Sequence, residues 1–325
     1  MPSRRSALIY TSVFGAFSLD GTAQAQAPYP NQPVKMIVAL PAGGGVDMIA
    51  RNLAQRLSTD LGQPFLVDNR AGGSGQIGMP VVAKAAPDGY TLTVSPASFL
   101  TTNKSIFKTL SYDPEADFTP VTRLVNQAMI LVVKDKQKYP TFAAFVAAAR
   151  ANPGKVTYAS SGDGSPQHLA GLMFETRTQT KLLHVPYRGG ALAINDTIAG
   201  TVDAIFAVMP EAVQHVKSGA LHPLGVMTAA RSSIFPQVPT MVEGGVKDLV
   251  LPTWIALLAP PKTPKAIVDR LNRAVVAAFD GENKAKLAEI GMDVAPAGPE
   301  DLRDLIARDI KLHAELVKAA GLVPQ

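Results

Sequence analysis

There is no cysteine in the 325 residues of this chain. That excludes a disulfide framework, thiol chemistry and a lipid-modified cysteine behind a leader. Histidine is scarce: five residues, scattered, with no His-Glu-x-x-His pair, so a metal site has no support. There is one tryptophan, aromatics make up 6%, and no Lys/Arg block is interleaved with them. A nucleic-acid partner is therefore not expected. Past the N-terminus no apolar run approaches the 18 residues of a membrane span. A Gly-x-Ser-x-Gly elbow, low-complexity tracts and short-period repeats are also missing. Neither sign of charge dominates, with 31 basic against 26 acidic residues and a formal charge of +5.

The N-terminus carries a tripartite pattern. Arg4 and Arg5 are followed by an apolar stretch from Ala7 to Leu19 and by the small-x-small site Ala23-Gln-Ala25. Residues 1–25 read as a signal peptide cleaved after Ala25, because cutting after Ala27 would leave Pro28 just past the cut. Cleavage removes Arg4, Arg5 and Asp20 and leaves a formal +4, a weak field that favours anionic ligands. The mature chain is expected to be soluble and exported. Near 300 residues it can bury a core without disulfides and fill two lobes.

The most informative stretch runs from Val34 to Arg51. An apolar, partly β-branched run to Leu40 has strand length. Pro41-Ala42-Gly43-Gly44-Gly45-Val46-Asp47 then leads into an amphipathic helix. The first-turn N–H groups of such a helix have no helical partner, and its dipole adds partial positive charge, so the start suits an anion. The device repeats. Val156 to Ser160 reads as a strand, Ser161-Gly162-Asp163-Gly164-Ser165 as a loop, and a helix follows from Pro166. Two such starts in two halves of the chain point to a cleft that closes on a small carboxylate.

Strands and helices alternate along most of the length, which predicts an α/β architecture of mainly parallel sheets flanked by helices. Strands are expected near 65–68, 90–95, 118–125, 129–133, 182–185, 204–208, 221–227 and 254–258. Helices are expected near 141–149, 264–279, 282–290 and 299–320, with a short one at 239–244.

Several residues carry two readings. Three consecutive glycines permit a turn, but they also allow close backbone approach to a ligand. Asp47 suits a first-turn cap or dipole partner. Ser160, Ser161 and Ser165 offer hydroxyl donors, one of them as a helix cap. His168, one turn inside that helix, reads as a packed structural histidine. Arg188 suits a distal ligand carboxylate or plain solvent. Asp203 suits a ligand polar group or loop amides. Ser98 and Phe99 follow a strand whose C-terminal end should face the crevice, and Phe99 is either a lid or core. The glycine loop fails the Gly-x-Gly-x-x-Gly dinucleotide pattern, since Met48 stands at the third glycine. Ser165 and His168 lie three residues apart on one helix, which is no triad arrangement, and the sequence alone assembles no nucleophile–base pair. No catalytic residue and no cofactor is expected.

Taken in order, these motifs resemble the Bug-type solute-binding receptors of tripartite tricarboxylate transporters, the TctC family. The resemblance covers nearly the whole mature chain. It runs through Tyr29-Pro-Asn-Gln-Pro33, the Pro41–Asp47 loop, Val67-Asp-Asn-Arg-Ala-Gly72, Ala86-Pro-Asp-Gly-Tyr-Thr91 and Asp117-Phe-Thr-Pro-Val121. It continues with the Ser160–Leu169 segment, Val185-Pro-Tyr-Arg-Gly189, Gly200-Thr-Val-Asp203, Trp254 and Ala259-Pro-Pro-Lys-Thr-Pro264. One departure is Ala191-Leu192, where the family usually places a proline.

The resemblance implies a two-lobed periplasmic binding fold. Lobe one would take residues 28–127 and 253–325, lobe two residues 128–252, with hinges near Asn126–Gln127 and Pro252–Thr253. A ligand carboxylate would be held by backbone groups and waters at residues 42–47 and 160–165. Such a receptor is no enzyme. It would work as a monomer in the periplasm and deliver a small organic acid to integral-membrane transporter subunits. The acid is left open: mono-, di- or tricarboxylate, aromatic acid or amino acid. A sensor subunit docking on a membrane signalling protein has the same lobes, and a secreted hydrolase is the remaining alternative.

Overall fold

The computed structural model describes residues 29–251, 253–279, 281–319, 321, 322 and 324. The expected signal peptide, its cleavage site and the hinge position Pro252 lie outside the described residues.

The chain opens with β1 (Val34–Val38), α1 (Gly45–Leu61), β2 (Phe65–Asn69), α2 (Met79–Ala83), β3 (Thr91–Pro96), α3 (Ala97–Thr101), α4 (Asn103–Ile106) and β4 (Thr119–Gln127). After Ala128 it crosses into β5 (Met129–Val133), α5 (Phe142–Ala151), β6 (Thr157–Ser160), α6 (Pro166–Thr178), β7 (Leu183–Pro186), α7 (Gly190–Ala199), β8 (Ala204–Val208), α8 (Met209–Lys217) and β9 (His222–Val226). It returns through β10 (Thr253–Ala259) to α9 (Lys265–Ala278), α10 (Gly281–Ala288), β11 (Met292–Val294) and α11 (Pro299–Ala319).

Two sheets result, ordered β11-β4-β10-β3-β1-β2 and β7-β6-β8-β5-β9. In the first, β2, β1, β3 and β4 share one direction, and β10 and β11 oppose them. In the second, only β5 runs against its neighbours. The reversed strands β5 and β10 are those that carry the chain between the sheets. Both are buried along their whole length, as expected of continuous apolar runs covered on both faces. Val208 pairs with Met129 and Gln127 with Thr253. The C-terminal ends of the like-directed strands in both sheets therefore face the crossing point, where an open α/β sheet places its ligand.

Helix faces follow their spacing. In α1 the buried side chains are Val46, Ile49, Ala50, Leu53, Ala54 and Leu57, a stripe that repeats every three to four residues. α11 crosses both lobes. Leu302 and Ile306 pack with Trp254 in the first, while Leu316 and Val317 join Phe145 and Phe174 in the second. Assigning residues 253–325 wholly to lobe one overlooks that crossing. Midway, Trp254 Nε1 donates to Asp309 Oδ2 at 2.8 Å.

One local expectation fails and one strand was not foreseen. In place of the helix expected at 239–244, Thr240 bridges to Val226 and residues 241–245 form a turn in which Gly245 adopts φ +92°. β11, only three residues long, is too short to leave a periodic signal.

Candidate functional site

The site is built around helix starts at the crossing point. α1 begins at Gly44, whose backbone is extended and whose helix has no side-chain cap. Ala42, Gly43 and Gly44 are exposed, Gly45 is half-buried and Val46 is buried. A Cβ at Gly45 would lie 3.5 Å from Met292 Cε and 3.6 Å from Gln127 Nε2, so the loop rests on the ends of β4 and β11. Asp47 is buried and turned inward. Its carboxylate accepts from Gly43 N (2.9 Å), Arg51 Nε (2.9 Å) and Asn69 Nδ2 (2.9 Å). Burial works to raise its pKa, but these three donors outweigh it and hold the group below the usual carboxylate range. Asp47 shapes the loop and ties it to Arg51 and Asn69.

The second loop is more fully satisfied by its own side chains. Ser165 caps α6 by accepting from His168 N at 3.2 Å. Gly164 N donates to His168 Nδ1 at 3.1 Å, and Gly162 N to Ser160 Oγ at 3.1 Å. Ser160, itself fully buried, lies 2.6 Å from His184 Nε2. Ser161 Oγ donates to Gln167 Oε1 at 2.8 Å. Of the five loop residues expected to bind, Ser160, Gly162, Gly164 and Ser165 thus use these groups to build the loop, and Ser161, half-buried at its edge, gives its hydroxyl proton to Gln167.

The fold assembles a Ser–His pair that the sequence could not. Ser160 and His184 are 24 residues apart, and Asp163 Oδ1 lies 3.7 Å from His184 Nδ1. It is not a working triad: the serine has no exposed surface, its hydroxyl also meets Gly162, and the carboxylate stands beyond hydrogen-bond range. Asp163, His168 and His184 also place three ligand atoms within 4.8 Å of one another. The two imidazoles stack at 4.0 Å with planes 4° apart. Their lone pairs lie in parallel planes and do not converge on one cation.

A cavity of about 330 Å³ opens beside these rings, lined among others by Tyr158, Leu172, Glu175 and Lys181. None of its lining residues comes from the Ala42–Asp47 loop or from Arg188, so it does not join the two helix starts.

Burial sets a pH dependence here. It pushes His168 and His313 down to about 4, below the 6.5 of a free imidazole. Both stay neutral in the fold, and protonation favours the unfolded chain. Stability is therefore expected to fall as pH drops from 6.5 toward 4, by up to about 3 kcal/mol per histidine, while Glu211 in the first turn of α8, raised to about 7 by burial, works the other way and offsets about one histidine's share. Denaturant midpoints at pH 7.5, 6 and 5 test this. A level midpoint would mean that at least one ring is not held neutral.

The remaining expected residues divide. Arg188 is exposed just before α7, at the crevice end of β7. Ser98 is buried beside Pro166, Leu169, Leu251, Thr253 and His313, in the seam between lobes. Phe99 is core, not lid: it is buried and stands against Gly75, where a Cβ would come within 2.6 Å of its ring. Asp203 lies at the opposite end of β8 from the crevice. Its carboxylate accepts from Lys138 Nζ (2.6 Å), Tyr139 Oη (3.0 Å), and the Thr157 amide and hydroxyl (2.9 Å each). Its place in the ligand set is withdrawn in favour of the loop-amide reading.

One residue escaped sequence reasoning. Glu211, in the first turn of α8, is half-buried and accepts from Gln167 Nε2 at 3.1 Å. Its carboxylate lies over Gly190, the first residue of α7. The starts of α6, α7 and α8 thereby meet at one carboxyl group, and Met209 at the head of α8 abuts Gly291, next to the Met292 that supports the α1 loop.

This fold recurs in known proteins. Residues 49–322 match the family model described as tripartite tricarboxylate transporter family receptor. Protein BugT of Bordetella pertussis is 37% identical over 295 residues, 90% of each chain. A solved R. palustris protein with adipate superposes with a TM-score of 0.87 at 34% identity, covering 91% of this chain and all of that one. MatC from Rhodopseudomonas palustris with bound malate gives 0.82 at 29% identity, over 89% of this chain and all of that one. With a model match over most of its length, the chain belongs to the tripartite tricarboxylate transporter receptor family.

Proposed function

We propose that this receptor is exported to the periplasm, captures a small organic carboxylate at the uncapped start of α1, and hands it to integral-membrane transporter subunits. The observation that carries the ligand class is the exposed, side-chain-free Gly43–Gly44 entrance to α1. A 17-residue helix presents its unpartnered first-turn donors there without any capping side chain. The bound adipate and malate of two structural neighbours support it. So does the gathering of α6, α7 and α8 starts on the facing lobe. Among the described residues no helix is long and apolar enough to cross a membrane, so the membrane step falls to partner subunits.

Ligand is held between residues 44–46 of lobe one and Ser161 with its neighbours on lobe two. Arg188 is placed for the outer end of a longer acid. The working unit is a monomer, and the chain performs no chemistry on its ligand.

A thermal-shift screen of mono-, di- and tricarboxylates, aromatic acids and amino acids tests the reading. A true ligand at 100 times its Kd adds about 2.7 kcal/mol of stability. That is a shift of several degrees in Tm. A screen in which carboxylates give no shift and neutral or cationic solutes do would overturn it.

A further inference from the structure

Glu211 stands out among the acidic side chains of the cleft wall because no charged side chain among the described residues pairs with it, and the positive ends of α6, α7 and α8 stand in place of a counter-ion. Its single hydrogen bond comes from the neutral amide of Gln167, which in turn accepts from Ser161. The surrounding elements carry Asp163 and His168 at the start of α6, Arg188 before α7, Asp196 within α7, His215 and Lys217 on α8, and Asp293 beside Met292. None of these makes an ion pair with Glu211 or acts on its titration. The carboxylate also has a fitted seat. A side chain at Gly190 would collide with both of its oxygens, so only glycine there leaves room for it.

A bound carboxylate brings a second negative charge close by. Ser161, proposed above to face the ligand, is separated from Glu211 only by the Gln167 amide. Two anions that close in a half-buried site do not both stay ionised. One takes a proton, and the better-buried group takes it first. Ligand carboxylates are the stronger acids and keep the two helix starts. Glu211 then becomes a neutral hydroxyl donor, able to give its proton to an acceptor on the same ligand.

We propose that Glu211 is a proton-carrying selectivity residue: the receptor takes up a proton with its ligand, and the protonated Glu211 donates a hydrogen bond to the second carboxylate of a dicarboxylate. This rests on the carboxylate reading of the cleft and names its ligand class. The proton comes from solvent and returns there on release. Burial supports the same direction, raising the empty receptor's Glu211 to about 7 while the Gln167 bond works against it.

The sign follows. Below pH 7 Glu211 is protonated with or without ligand, so binding does not vary with pH. Above pH 7 the empty receptor is ionised and must gain a proton on binding. Affinity then falls toward tenfold per pH unit, until the pKa of the bound state is passed. Glu211→Gln keeps a donor that cannot ionise, and its affinity should be level across the range.

Calorimetry with adipate, succinate and malate as probes tests this, at pH 6.0, 7.5 and 8.5 in buffers of differing ionisation heat. The wild-type protein should take up a substantial fraction of one proton per dicarboxylate at pH 7.5 and none at pH 6.0. Glu211→Gln should abolish the uptake. Gly190→Ala, which leaves Glu211 in the chain but takes its seat, should reduce it. Dicarboxylate binding without proton uptake would overturn the role of Glu211 and leave the carboxylate reading standing. So would an unchanged uptake in Glu211→Gln. Preference for an amino acid whose binding weakens below pH 7 would overturn it as well, by making Glu211 a counter-ion to an ammonium group. Failure of all three dicarboxylates to bind, while monocarboxylates do, would overturn this inference alone; binding of neutral or cationic solutes with no carboxylate bound would overturn the reading with it.

Discussion

Gly44→Val should abolish carboxylate binding and leave the folded state nearly as stable as before. Gly44 has φ −82° and ψ 170°, the extended region that β-branched residues favour. A Cβ placed there has no neighbour closer than Pro41 O at 3.9 Å, so the side chain enters open space. That space is where the first-turn N–H groups of α1 point. A valine would keep a ligand oxygen out of hydrogen-bond range of at least two of them. Hydrogen bonds to a charged partner are worth about 1.5–3 kcal/mol each, so losing two lowers affinity by a factor of about 100 or more. Gly164→Val is the contrast. Gly164 has φ +72° and a side chain there would collide with Ile106, so that variant should lose stability as well as binding. Calorimetry for ligand and denaturant midpoints for both variants decide the matter. Full affinity in Gly44→Val would move the anion site away from α1.

The contrast between those glycines also shows what a single chain can reveal before it is folded. The Val34–Arg51 stretch was legible because everything it needs is local: an apolar run, a glycine break, and a stripe repeating at Val46, Ile49, Ala50 and Leu53. The same locality made a serine cap on α6 legible, while only the fold shows that Ser165 supplies it. What failed was tertiary. Asp203 sits in a motif of the right family, yet its partners Lys138, Tyr139 and Thr157 reach it from β6 and from the segment after β5. Nothing along the chain says that they meet at the far end of the sheet. Phe99 follows a strand end as a lid would, but packing against Gly75 turns it into the core. Glu211 reads in sequence as an ordinary acidic residue in a first helical turn. Its isolation from counter-charge depends on Gln167 and Gly190, 44 and 21 positions away, and so does its seat. Ser160 and His184 were invisible as a pair for the same reason.

Ligand should draw the two lobes together, and the scattering radius of gyration should fall on saturation. The sheets are joined by the short crossing at Ala128 and by the return into β10. Hydrogen bonds from Met209 N to Ala128 O, Met227 N to Met129 O and Leu251 N to Met227 O steady the crossing. Away from it the lobes meet along α11, at the Ile106 segment and at the seam beside Ser98. Ser74 Oγ reaches Asp163 O at 3.5 Å, Gly164 leans on Ile106, and Gly291 on Met209. Moving the population from 1:99 to 99:1 takes about 5.5 kcal/mol of differential affinity. Two hydrogen bonds from each lobe to one carboxylate can supply that, because an open receptor offers only one lobe's share. Waters can carry part of the contact without weakening this argument, since a bridging water matches a direct bond in enthalpy at modest entropic expense. α11 sets the form of the motion. It is packed into lobe one by Leu302 and Ile306 and into lobe two by Leu316 and Val317. The lobes are therefore expected to twist about that helix rather than gape, so the fall in radius should be small but reproducible. A radius that stays the same with and without a saturating carboxylate identified by the thermal-shift screen would refute closure about Asn126–Gln127 and Thr253.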